Sequence, residues 1–226
     1  MRINTKYRTN EPEIMDDFSL QGEELRDALD KIAKINQLLG GNKLTLQGLK
    51  AILPKGTKNL IKIIDVGCGN GDMLRTIADF GSQNGYNFQL VGIDANAFTI
   101  NHAAKLSSQY QNISYICDDI FTMDPSKLIC EIVVCTLTLH HFKDDEIVEI
   151  LSVFKKSAKL GIVINDLQRS AMAYRLFQLL CVIFGLNRMS REDGLVSILR
   201  GFKKEELIAF SEKLNFKKYA KHSFQS

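Results

Sequence analysis

The chain predicts an α/β fold, a doubly wound and mostly parallel sheet, and three observations carry that expectation. Five short apolar, largely β-branched runs, at about 60–66, 88–94, 113–117, 131–136 and 160–165, alternate with segments of helical periodicity. The turn after the first run has glycine at every second position, Gly67, Gly69 and Gly71, and leads straight into a helix. Asp65, Asp94, Asp118 and Thr136 stand at strand ends, the rim on which open parallel sheets bind ligands.

Ahead of the first strand, Leu25, Leu29, Ile32, Ile35 and Leu38/Leu39 recur at steps of three and four and stop at Gly40-Gly41, which predicts an amphipathic helix. A second helix is expected from about Asn42 to Leu53, with Leu46, Leu49 and Ile52 inward, before Pro54. Beyond the glycine turn a helix at about 71–82 buries Met73, Leu74, Ile77 and Ala78. Helices at about 97–109, 125–128 and 144–157 separate the remaining strands, and right-handed crossovers put helices on both sheet faces. An insertion at about 171–201 follows strand five, then a helix at 203–214 and a strand-like end at 216–224. The expected organisation is a single domain: an N-terminal helical cap (1–56), a cofactor-binding core (57–166), a lid-like insertion (167–202), and a C-terminal helix and strand (203–226).

At 226 residues, 45% hydrophobic and 24% charged, the composition is that of one globular domain. The formal charge of +3 is dispersed and forms no basic stripe, so nucleic acid is not an expected partner. Cys68, Cys117, Cys130, Cys135 and Cys181 are odd in number and lack metal-ligand spacing, so they read as reduced thiols of a cytoplasmic protein with no metal site. The N-terminus has no apolar core of signal-peptide length. The longest apolar stretch, Leu176 to Leu186, falls short of the roughly 20 residues that cross a bilayer.

The spacing of the glycines bears on the ligand. A dinucleotide fingerprint reads G-x-G-x-x-G and sets a pyrophosphate on the helix N-terminus. This chain has G-x-G-x-G preceded by Asp65, whose carboxylate repels a pyrophosphate but can pair with the ammonium of an amino-acid-bearing nucleoside. That favours S-adenosylmethionine over NAD. Strand two ends on Asp94, 23 positions after Gly71, where such sheets place the acceptor for ribose hydroxyls.

With Ile61–Leu74, Phe88–Asp94, Ile116-Cys-Asp-Asp-Ile120 and Ile132–Phe142 in this order, the chain resembles the class I S-adenosylmethionine-dependent methyltransferases over about 61–166. Segments around Met15-Asp-Asp, Asn165-Asp-Leu and Ser197-Ile-Leu-Arg-Gly-Phe202 are similar to a bacterial small-molecule subgroup akin to quinone and polyketide-phenol methyltransferases. The resemblance implies that Gly67, Cys68 and Gly69 approach the cofactor by their backbones, and that Asp65 faces its amino-acid end. It further implies that Asp94 and Ala95 lie at the ribose, that Asp118, Asp119 and Ile120 bracket the adenine, and that Cys135 and Thr136 lie beside the methionyl part. The family usually ends in an antiparallel strand pair; the segment before Ser226 has room for one strand, so strand seven is missing or the chain is cut short.

Methyl transfer needs in-line placement and, for oxygen or nitrogen nucleophiles, removal of a proton. His140 and His141, after strand four, are candidates for the base, against a purely structural part in starting the next helix. Asp166 is expected to bind the acceptor, orient the base, or cap the following helix. Histidine is absent before Asp193, where the related subgroup tends to have one, so no base role is carried there. Arginines and apolar side chains of the insertion suit a lid over an oily or aromatic acceptor, or a homodimer surface. The rival reading is a methyltransferase-like module that binds without transferring; an NAD-linked oxidoreductase is the weakest.

Overall fold

The structure, a computed structural model, describes residues 3–216. The strand-like end expected at 216–224, and with it the missing or truncated seventh strand, lies outside the described residues from 217 on.

Five strands, β1 (Leu60–Val66), β2 (Asn87–Asp94), β3 (Ile113–Cys117), β4 (Cys130–Thr136) and β5 (Ala158–Asn165), form one sheet in the order β3-β2-β1-β4-β5. Every pairing is parallel. The period-two alternation of side chains divides each strand between two cores. On one face Ile61 and Ile63 of β1 meet Met73, Leu74 and Ile77 of α3 (Asp72–Asn84), Ile100 of α4 (Ala97–Leu106) and Leu49 of α2 (Gly41–Ile52). On the other, Ile64 and Val66 meet Ile147, Ile150, Leu151 and Phe154 of α5 (Asp144–Ser157), with Leu207 and Phe210 of α8 (Lys204–Lys213) packed alongside.

The leading helix α1 (Glu23–Leu38) buries Leu25, Ala28, Leu29 and Ile35, but Leu38 and Leu39 are exposed, so the apolar face is shorter than the periodicity predicts. The cause is Gly40, which turns left-handed at φ 81° and ends the helix before Leu39 can rotate inward. α4 stops at Leu106 rather than 109 because Ser107 leaves the helix to bond the Tyr115 hydroxyl (2.7 Å). The insertion is two helices, α6 (Ala171–Ile183) and α7 (Arg188–Arg200), separated by a turn through Gly185. No helix among the described residues is long and apolar enough to cross a membrane.

β1 and β4 are neighbours although five elements of chain separate them, α3, β2, α4, β3 and a short 3-10 turn at Pro125–Leu128, so strand order reverses between them. The crevice beyond their carboxyl ends is where a sheet of this kind leaves room for a ligand.

Candidate active site

That crevice is a cavity of about 760 Å³. Asp65, Gly67, Cys68, Gly69, Asp94, Ala95, Asp118, Asp119, Ile120 and Thr136 all line it, as do His140 and His141. Cys135 does not: alternation along β4 turns its thiol into the core with Ile64 and Val133, so it cannot lie beside a ligand's methionyl part.

The glycine turn is held from beneath. Gly67 and Cys68 both donate backbone N–H groups to the Ile93 carbonyl (2.8 and 3.1 Å). Gly67 has φ +71°, and a Cβ there would lie 2.3 Å from the Thr138 side chain, so no other residue fits. Asp94 accepts from Gly69 N–H (3.1 Å) and Asn96 N–H (3.0 Å), which fixes its carboxylate at the cavity wall. Asp118 instead pairs with Lys127 at 2.8 Å.

Asp65 is buried, and its Oδ1 has no hydrogen-bond partner among the described residues. Burial, reinforced by the nearby charges of Asp72 and Asp94, pushes its carboxyl well above the ordinary aspartate range. An orphaned buried carboxyl oxygen at the strand end fits the ammonium of S-adenosylmethionine. The end of β4 carries a further anomaly: Leu137 holds φ 53°, a left-handed conformation unusual for leucine, and lines the cavity.

The opposite half of the cavity is built by parts of the chain remote from one another. Asp166 lies off the cavity wall, behind His140: its Oδ1 is 2.6 Å from His140 Nδ1, and it also accepts from the Leu167 N–H. It does not cap the next helix; Ser170 does. Burial opposes ionisation of Asp166, but the charge and hydrogen bond of His140 outweigh it and hold the carboxyl below its ordinary value. The His141 ring stacks 4.3 Å from that of His140 and bonds Asp16 Oδ1 through Nδ1 (2.7 Å).

Three groups here were not singled out by the sequence reading: Glu13, Asp16 and Arg200. Arg200 donates to the His140 carbonyl (2.9 Å), to the His141 carbonyl and to Asp16 Oδ2 (2.7 Å). Glu13, 6% exposed, accepts from Ser197 Oγ (2.6 Å), and burial raises its carboxyl above the usual range while His141, Ser197 and Arg200 pull it back. Asp193 accepts from Ile14 and Met15 N–H (2.7 and 2.9 Å) and so clamps this N-terminal segment. Glu13, His140 and His141 offer ligand atoms within 4.8 Å of one another, the reach of a metal ion, but the Arg200 guanidinium 3.7 Å from Glu13 already supplies positive charge there. The sequence traces of the cluster are a pair of acids three apart ahead of the first helix and the segments Met15-Asp-Asp and Ser197-Ile-Leu-Arg-Gly-Phe202.

Residues 63–161 match the family model described as a methyltransferase domain. This stretch of the chain is similar to a methyltransferase domain. S-adenosylmethionine is its cofactor, and methyl transfer its reaction. No curated protein matches the methyltransferase sequence. Solved structures agree on the fold. The plantazolicin methyltransferase BpumL in complex with SAH is 19% identical, covers 82% of this chain and 68% of its own, and gives a TM-score of 0.60. Magnesium protoporphyrin IX methyltransferase from Synechocystis with bound SAH is 15% identical over 78% of this chain and 73% of that one, TM-score 0.53. The CurJ carbon methyltransferase is 17% identical over 75% of this chain and 44% of that one, TM-score 0.51.

Proposed function

We propose that this cytoplasmic methyltransferase acts on a small, hydrophobic or phenolic hydroxyl compound, akin to the acceptors of quinone and polyketide-phenol methyltransferases. The observation that carries the reading is the buried His140–Asp166 pair, 2.6 Å apart, with His140 on the wall of a cavity that Leu176, Phe177 and Leu180 also line. Bound S-adenosylmethionine supplies an electrophilic methyl group. Asp65 faces its ammonium, Asp94 with Ala95 its ribose, Asp118, Asp119 and Ile120 its adenine, and Gly67, Cys68, Gly69 and Thr136 the path between.

An Nδ1–H donated to Asp166 leaves His140 Nε2 as an acceptor directed away from the sheet. His140 then takes the acceptor's proton, Asp166 fixes the ring's orientation, and His141 keeps the neighbouring wall polar through Asp16. The apolar face of α6 closes over the acceptor ring and excludes water.

The test is methyl-labelled cofactor with a metabolite extract, the labelled product being identified by mass spectrometry. A methyl ether of a phenol or other apolar hydroxyl compound is expected, and His140→Ala should lower turnover on the order of 100-fold or more. Label appearing on a polar carboxylate, or His140→Ala at full rate, overturns the reading.

A further inference from the structure

We propose that Glu13 is a catalytic residue of the methyl transfer: the acceptor's nucleophilic hydroxyl lies between His140 Nε2 and Glu13 Oε1, and Glu13 stabilises the imidazolium formed when the hydroxyl proton moves to Nε2. This rests on the reading of His140 as the base. Glu13 belongs to no part of the cofactor cradle, and its side chain is 3% exposed, yet Oε1 has no hydrogen-bond partner among the described residues. Buried polar atoms are nearly always paired, so an orphan demands a cause. Its neighbour Oε2 is held by Ser197 at 2.6 Å, which fixes where Oε1 points. Oε1 lies 3.7 Å from Arg200 Nε and 3.8 Å from His140 Nε2, both too far for a direct hydrogen bond, and the second distance is within the span one oxygen bridges. Both residues line the cavity.

The step balances as follows. The acceptor O–H bond breaks and its proton goes to Nε2; the oxygen bonds to the methyl carbon; the carbon–sulfur bond breaks with its electron pair left on sulfur. The positive charge that sulfur loses appears on an imidazolium flanked by Asp166 at Nδ1 and Glu13 at Nε2. The other charged or titratable groups around that ring are His141, stacked at 4.3 Å, with Asp16 beyond it, and the guanidiniums of Arg200 and Arg8, both of which donate to the His140 carbonyl. Arg8 pairs with Asp144; Arg200 pairs with Asp16 at 2.7 Å and gives its Nε–H to the His140 carbonyl, so that Nε lies 3.7 Å from Glu13 Oε1 without a hydrogen bond to it, and Glu13 is the carboxylate facing Nε2 of His140.

The experiment is the pH profile of kcat, together with SAH affinity, in wild type and Glu13→Gln. Removing a carboxylate that stabilises the protonated base should move the acid limb of the kcat profile to lower pH, leave SAH affinity unchanged and reduce kcat by about 10- to 100-fold. An unmoved acid limb overturns the proposal even if kcat falls, because a merely structural part would act that way; so does an unreduced kcat. Should Glu13→Gln no longer bind SAH, Glu13→Asp, which keeps the charge but withdraws it by a methylene, should move the limb in the same direction with a smaller fall in kcat, and an unmoved limb there overturns the proposal as well. His140→Ala separates the two readings: full turnover there removes the base itself, whereas an inert His140→Ala beside an unaffected Glu13→Gln removes Glu13 alone.

Discussion

Asp65 enters the cavity with a carboxyl that burial, and then the charges of Asp72 and Asp94, hold above the aspartate range. To pair with an ammonium it must be ionised, so any proton it carries in the empty protein is lost on binding. Cofactor affinity should therefore rise as pH climbs through that elevated pKa, and calorimetry in buffers of different ionisation enthalpy, from about pH 5 upward, should detect proton release in wild type and none in Asp65→Asn. Proton uptake in wild type would refute this. Asp94→Ala should weaken SAH binding at least tenfold, because each charge-assisted bond to a hydroxyl is worth about 1.5–3 kcal/mol. Asp65 and Asp94 were legible in the sequence because the strand, turn and helix that position them are contiguous with them. Glu13 and Arg200 were not, since nothing local to either residue says that a distant loop will desolvate it.

At the scale of elements, the insertion presents two phenylalanines in different settings. Phe177 of α6 lines the cavity, and its ring lies against Gly194 of α7, where a Cβ would come within 2.2 Å. Both rings pack on Ile35, Cys181 and Leu186, but Phe184 does not reach the cavity. Phe177→Ser should lower turnover more than SAH affinity, whereas Phe184→Ser should lower thermal stability and leave kcat per folded molecule unchanged; equal kinetic losses in both would show that α6 has no specific part in the acceptor pocket. Periodicity located every strand to within two residues, because each alternates between two dry faces. It could not tell which apolar residues of α6 face the cavity and which, such as Met172 and Val182, face solvent. That helix is apolar nearly all round, and a pattern without a polar face carries no direction.

Across the whole molecule, the first and last quarters of the chain meet over the histidines through Arg200, whose guanidinium is buried and bonds three carbonyls, those of Glu11, His140 and His141, and Asp16. Arg200→Ala strands these partners and should cost about 3 kcal/mol or more, a fall in Tm of about 6–12 °C for a chain of this length, read by calorimetry. Asp16 gives the acid side of the same contact. Burial opposes its charge, but the hydrogen bonds from His141 and Arg200 outweigh it and hold its folded-state pKa below the unfolded value. That stabilisation is present above about pH 3.9 and is lost as pH falls through the depressed value, so wild type should lose stability there faster than Asp16→Asn.

Glu13 and Ser197 are 184 positions apart, as are Asp16 and Arg200, while the cofactor wall between Asp65 and Thr138 closes over successive strand–helix units. During synthesis the nucleoside cradle can therefore assemble on the ribosome well before the catalytic pocket, which must await the emergence of α7 and the slow closure of the longest loop. A nascent or prematurely released chain would sequester cofactor without spending it. In refolding from denaturant, SAH binding should return ahead of turnover; simultaneous recovery would mean that the two halves of the pocket form as one cooperative unit.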